Sequence, residues 1–172
     1  MNKNIFLYVL LFLVFSANGF AQGATGSIRL EVKTSDYFTG AKIKIPITVT
    51  VLNYHAVNYV YKTDSVGKAP KIMLDYNGLY EIRFEASGML KRSVVIDTRN
   101  YPADDRYAKG MDMPVEMSMI ALQKMENCGN RINEMEKMIT STASYNAHTA
   151  SMDWDIGQVA AMKKALKECI EE

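Results

Sequence analysis

Two histidines, two cysteines and one tryptophan are all this 172-residue chain offers of the residue types that most often carry catalysis or hold metals. His55 and His148 each lie in a polar or loop context, with no Asp or Glu at helical ligand spacing on both sides, and read as surface residues. There is no Gly-rich phosphate loop, no G-x-S-x-G elbow and no H-E-x-x-H helix, so the main nucleotide, serine-hydrolase and zinc-protease signatures are missing. The formal charge is +1 and no block of one sign stands out. A nucleic-acid binder would show a basic stripe, and docking on anionic lipid would need a similar cluster. After residue 22 no stretch is apolar enough to span a membrane. These absences point to a chain without catalytic activity, cofactor or nucleic-acid partner. An enzyme using Asp97, Asp104 or His55 is the weakest of the readings. Asp104-Asp105, near Asp97 and after a proline, read as a solvated acidic loop before a cation site.

What is present starts at the N-terminus. Asn2-Lys3-Asn4 precedes an unbroken apolar run from Ile5 to Phe15, and Phe20-Ala21 closes a stretch of small residues. This is the layout of a secretory signal peptide over residues 1–21, cut after Ala21. The run is too short for a helical span, which takes about 20 residues, and no cysteine near the cut offers a lipid attachment point. The expectation is an exported protein, periplasmic or secreted, with thiols in an oxidising compartment and away from cytosolic cofactors such as NAD or ATP.

From Ser27 to Ile120 the apolar residues recur with period two, the signature of half-buried strands. Ile28, Leu30 and Val32 alternate with Arg29, Glu31 and Lys33; Tyr80, Ile82, Phe84 and Ala86 alternate with Glu81, Arg83 and Glu85. Further strands are expected at 43–51, 57–62, 71–74, 91–97 and 114–120. Pro46 breaks the second of these or places it on an edge. Seven short strands with turn signals between them predict a mainly β fold, a seven-stranded antiparallel β-sandwich over residues 22–120. Segments this close together leave no room for crossover helices, so a parallel sheet is not expected.

After Ile120 the period changes. Ala121, Met125, Cys128, Ile132, Met135 and Ile139 are spaced alternately by four and three residues, one stripe of a helix. Residues 140–151 read as a polar loop, and Ile156, Val159, Met162, Leu166 and Cys169 give a second stripe, with Ser151 or Asp153 as its N-cap. The expected unit over 121–172 is a helical hairpin. The midpoint between Cys128 and Cys169 falls at His148–Thr149, so the two cysteines meet at its open end and form a disulfide. The competing reading is a pair of reduced, buried thiols.

Thr39-Gly40-Ala41-Lys42-Ile43-Lys44-Ile45, Tyr61-Lys62-Thr63-Asp64-Ser65, Asn77-Gly78-Leu79-Tyr80-Glu81-Ile82 and Lys91-Arg92-Ser93-Val94-Val95-Ile96-Asp97-Thr98 together resemble the carboxypeptidase regulatory-like (transthyretin-like) β-sandwich module of exported Gram-negative envelope proteins. The resemblance covers residues 27 to 120. It departs from the pattern at Gly88-Met89, where the family has Gly-Tyr, and in a Tyr-rich insertion between Ile47 and Tyr61. It implies a non-catalytic module that stiffens, spaces or docks neighbouring domains. The expected partner is an envelope or cell-surface protein.

Two residue sets are candidates for binding. Tyr54, Tyr59 and Tyr61 form a cluster suited to protein or glycan contact, with core packing as the competing reading. Trp154 either seats the helices on the sandwich or adds a binding anchor. Met111, Met113, Met117 and Met119 form paired M-x-M motifs whose thioethers suit Cu(I). Their shared parity places them on one face of a strand, which favours core packing. A small-ligand carrier for glycan or Cu(I) is therefore the alternative to a docking module.

Overall fold

A computed structural model describes residues 27–53, 56–62, 71–102 and 110–170, without the side chains of 56–59 and 62. The leader, Tyr54, His55, Asp104, Asp105 and Tyr107 lie outside the described residues.

All seven expected strands are present. They are β1 (Ser27–Asp36), β2 (Thr48–Asn53), β3 (Ala56–Lys62), β4 (Ile72–Asp75), β5 (Leu79–Glu85), β6 (Arg92–Asp97) and β7 (Met111–Met119). Pro46 has the effect its chemistry dictates: the 43–51 run is interrupted and β2 begins only at Thr48. Two more strands, β8 (Ile139–Asn146) and β9 (Ser151–Trp154), raise the total to nine among the described residues. They form a three-stranded sheet, β4-β1-β7, and a six-stranded sheet, β3-β2-β5-β6-β8-β9.

The all-antiparallel, seven-stranded expectation is thus corrected. β1 pairs with β7 in parallel, and β6 pairs with β8 in parallel. Close sequence spacing excludes parallel pairing only between consecutive strands. Here the long return between parallel partners is made by the other strands themselves, from β1 through β2–β6 to β7.

The inner faces of the two sheets share one core. Ile28, Leu30, Ile72, Leu74, Val49, Val51, Ile82, Phe84, Ile96, Val115 and Met119 are all buried within it. Burying each large apolar side chain contributes about 1.5–3 kcal/mol.

The helical hairpin over 121–172 is also corrected. Gly129 adopts φ 51° and ψ −128°, a left-handed conformation that ends the first helical run. In place of one helix there are two 3-10 turns, Leu122–Lys124 and Glu126–Cys128, and a two-turn helix α1 (Arg131–Lys137). The polar stretch read as a loop is the β8–β9 hairpin. In β8 the buried residues are the small Ser141 and Ala143. A strand that buries Ser and Ala gives little hydrophobic alternation, although its threonines suit a pleated surface. Because β8 joins β6, the segment after residue 120 is part of the sandwich and not a separate appendage.

The one long helix among the described residues is α2 (Ile156–Ile170). Its cap is Asp155, not Ser151 or Asp153: the Gln158 N–H donates to Asp155 Oδ1 at 3.1 Å. Met162, Leu166 and Cys169 pack with Leu90, Ile120, Met125, Cys128 and Met135 in a second core. Cys128 and Cys169 form a disulfide with Cα atoms 5.0 Å apart. The symmetric fold-back about residues 148–149 does bring the cysteines together, but the tip of the fold-back is a β-turn. No helix among the described residues is long and apolar enough to cross a membrane.

Candidate functional site

The two sheets differ in width by three strands. At about 4.8 Å per strand, roughly 14 Å of the wider sheet extends beyond the narrower one. A helix with its side chains fills about 10 Å. The three-stranded sheet ends at β7, and α2 packs on β8. Between them lies a cleft of about 460 Å3. Pro114, Val115, Glu116, Met117 and Ser118 form one wall, and Val159, Lys163 and Leu166 of α2 the other. Arg92, Val94, Thr140 and Ser141 contribute from β6 and β8, with Tyr37 and Trp154 completing the lining.

The β7 wall is a free strand edge. The Tyr37 N–H donates to Met119 O on the β1 side. Ser118 O instead accepts from Arg92, and Ile120 O accepts from the Leu90 N–H, both away from β1. Since backbone groups alternate sides along a strand, Pro114, Glu116 and Ser118 direct theirs away from β1, and no described strand pairs with them. Pro114 lacks an N–H at one of these outward positions and so costs no ladder bond. At nine residues β7 is the longest of the four edge strands β3, β4, β7 and β9.

Arg92 is the unusual residue of the cleft. It is only 6% exposed. Its Nη1 donates to Ser118 O at 2.7 Å and its Nε to Thr140 Oγ1 at 3.3 Å. Of the five N–H groups of a guanidinium, that leaves three without an acceptor among the described residues. No described carboxylate pairs with it. Desolvation pulls its pKa down to about 10, and only the Tyr37 phenol opposes the shift. The nearest acid in sequence along the cleft wall, Glu116, is directed to Lys33 at 3.8 Å. Lys163 is exposed and has no ion pair to a described residue.

A larger depression of about 670 Å3 lies on the outer face of the six-stranded sheet near α1. Two ion pairs cross it, Arg83 with Glu81 at 2.8 Å and Lys91 with Glu85 at 3.4 Å, and Arg92 borders this depression as well as the cleft.

The sequence candidates are dispersed. Tyr61, on β3, is half-buried against the main core and pairs with Val49; Tyr59 pairs with Val51. Trp154, at the end of β9, pairs with Ala143 and packs on the same core while lining the cleft. β3 and β9 are opposite edges of the six-stranded sheet. Five strand spacings, roughly 24 Å, separate them. The β3 edge that carries Tyr61 is therefore remote from Trp154.

Met113, Met117 and Met119 are buried in the main core, and Met111 is half-buried, its sulphur accepting from the Tyr101 hydroxyl at 3.4 Å. The shared parity is thus inward. Asp97 is engaged by Arg99 at 2.7 Å, which holds its carboxyl below the usual range. His148 sits exposed in the β8–β9 turn, its N–H donating to Asn146 Oδ1 at 2.9 Å. No group of three or more His, Cys, Asp or Glu suited to a metal occurs among the described residues.

Sequence reasoning missed Arg92 because it follows Lys91 at a strand start and reads as a surface charge. Its parity with Val94 and Ile96, both inward, was the available signal.

No known protein-family profile matches the chain, and no curated protein matches it. Among solved structures, the Bacillus anthracis TIE protein aligns with a TM-score of 0.43 and 18% identity over 56% of this chain and 17% of that one. Likeness at that level carries no argument about function.

Proposed function

We propose that this chain is a non-catalytic, exported binding and structural module that docks onto another envelope protein by accepting an extended segment of that partner along β7. The free β7 edge beside the cleft carries this reading. Strand addition supplies affinity through main-chain hydrogen bonds and specificity through pockets for alternate side chains. Glu116 and Ser118 offer outward N–H groups, and Pro114 limits pairing to the half of the edge next to Arg92. The disulfide fits an oxidising compartment, in keeping with a cleaved leader and a periplasmic or secreted location.

The test is Glu116→Pro. It removes one outward N–H and leaves the β1–β7 ladder intact, as Pro114 already does two residues earlier. The variant is expected to keep the far-UV circular dichroism and melting temperature of the parent while losing most of the partner recovered by cross-linking in living cells. A well-folded variant with undiminished partner yield would refute the strand-addition reading.

A further inference from the structure

We infer that the cleft recognises a carboxylate, carried on the docked segment and seated on the free N–H groups of Arg92. This rests on the docking reading above. Charged residues are almost never fully buried unless paired, and an isolated buried charge is costly. Arg92 is buried, keeps three N–H groups without a described acceptor, and borders a cleft open enough to admit a ligand group.

The remaining charges agree. Lys163 on the α2 wall adds a second cation with no ion pair to a described residue. Among the described residues Glu116 lines the cleft as its one acidic residue, its carboxylate 3.8 Å from Lys33, and Glu168 of α2 meets Lys164 at 3.8 Å. The lining therefore carries two cations, Arg92 and Lys163, against one carboxylate, Glu116, which is already engaged by Lys33. A carboxylate suits this lining in both charge and geometry. It accepts the parallel N–H bonds that a guanidinium fork presents, and such bidentate pairs are the strong ones. Ser118 O and Thr140 Oγ1 fix the plane of the fork before any ligand arrives. The same arginine thus ties β7 to β6 and β8 while bordering the cleft. Trp154 and Tyr37 lie beside it, large flat surfaces suited to flank the peptide chain.

The test uses the full mature chain and two probes. The first is a library of random decapeptides lacking Asp and Glu, so that the C-terminus is the sole carboxylate, prepared once with free C-terminal carboxylates and once amidated, passed over immobilised protein. The second is benzoate, titrated while the Arg92 Nε–Hε signal is followed by NMR. A bond to a charged group predicts that free-carboxylate peptides bind about tenfold or more tightly than their amides. Arg92→Met should erase this preference. If that variant does not fold, Lys163→Met, on an exposed position, should reduce the preference several-fold and leave the fold unchanged.

Equal retention of free and amidated peptides would overturn the carboxylate inference and leave the docking reading standing. Benzoate shifting the Arg92 signal while no peptide is retained would overturn the docking reading and assign the carboxylate to a small free molecule. No response to either probe would overturn both. A preference that survives in folded Arg92→Met and in Lys163→Met would overturn the placement at this cleft.

Discussion

Reducing the Cys128–Cys169 disulfide should remove about 4 kcal/mol of stability. The cross-link joins residues separated by 41 positions, and the chain-entropy relation for a loop of that length gives about 4 kcal/mol at 25 °C. For a domain of this size, each kcal/mol corresponds to about 2–4 °C in Tm, so a fall of roughly 8–16 °C is expected. The closed stretch contains α1, β8, β9 and most of α2, so the effect reaches the wall of the cleft as well as the second core.

Guanidinium unfolding followed by Trp154 fluorescence reads the change, because the chain has a single tryptophan and it lines the cleft. Comparing oxidised with reduced wild type isolates the cross-link, since both keep the sulphur atoms. Cys128→Ala/Cys169→Ala should lose somewhat more, because both positions are buried, at 4% and 1% exposure. A reduced protein within 1 kcal/mol of the oxidised form would refute the reasoning. It would mean that the unfolded chain is already restricted between these positions, or that α2 is held without the bond.

Other changes have outcomes of defined sign. Asp155→Ala removes the α2 cap and should cost about 1 kcal/mol, measured by the same unfolding. Arg92→Met should be close to neutral in stability. It relieves a burial cost of about 3 kcal/mol, implied by a pKa lowered to about 10, and loses two hydrogen bonds of about 1–3 kcal/mol each. Because this pKa is lowered on folding, the cost is present at neutral pH and fades only as pH rises through about 10, so alkaline unfolding curves of parent and variant should diverge there. Asp36, Asp97, Asp112 and Asp153 are all held below the ordinary carboxylate range by hydrogen bonds. Their contribution is full above about pH 4 and is lost as pH falls below it. A scan of Tm from pH 6 to pH 2 should therefore fall, and Asp97→Asn should flatten part of that slope.

The sequence pattern locates all seven described strands up to residue 120, where large apolar residues alternate with polar ones. Leu79–Glu85 shows why: Tyr80, Ile82 and Phe84 bury while Glu81 and Glu85 stay half-buried and Arg83 exposed. β8 escapes because its fully buried residues are the small Ser141 and Ala143. The helical stripe through Met125, Cys128 and Met135 correctly marks buried positions, yet Gly129 splits the helix that the stripe implies. Sheet order is not legible, since nothing local tells β7 to return beside β1 or β8 to extend past β6. The cleft follows from that order, being the step where three strands stop and six continue. Among the sequence candidates, Trp154 and Met117 line it. Arg92 gains its meaning from β7 crossing above it, a long-range event that a local pattern does not record.

The most direct test of docking along β7 is position-resolved photo-cross-linking in living cells. A photo-reactive residue is placed singly at Glu116 on the β7 edge, at Lys163 on the α2 wall, and at two exposed residues on other edges, Met73 of β4 and Val60 of β3. The account predicts one recurrent protein adduct from positions 116 and 163 and none from 73 or 60. The same adduct arising from 73 or 60, with nothing captured at 116 and 163, would contradict it and move the working surface to another edge.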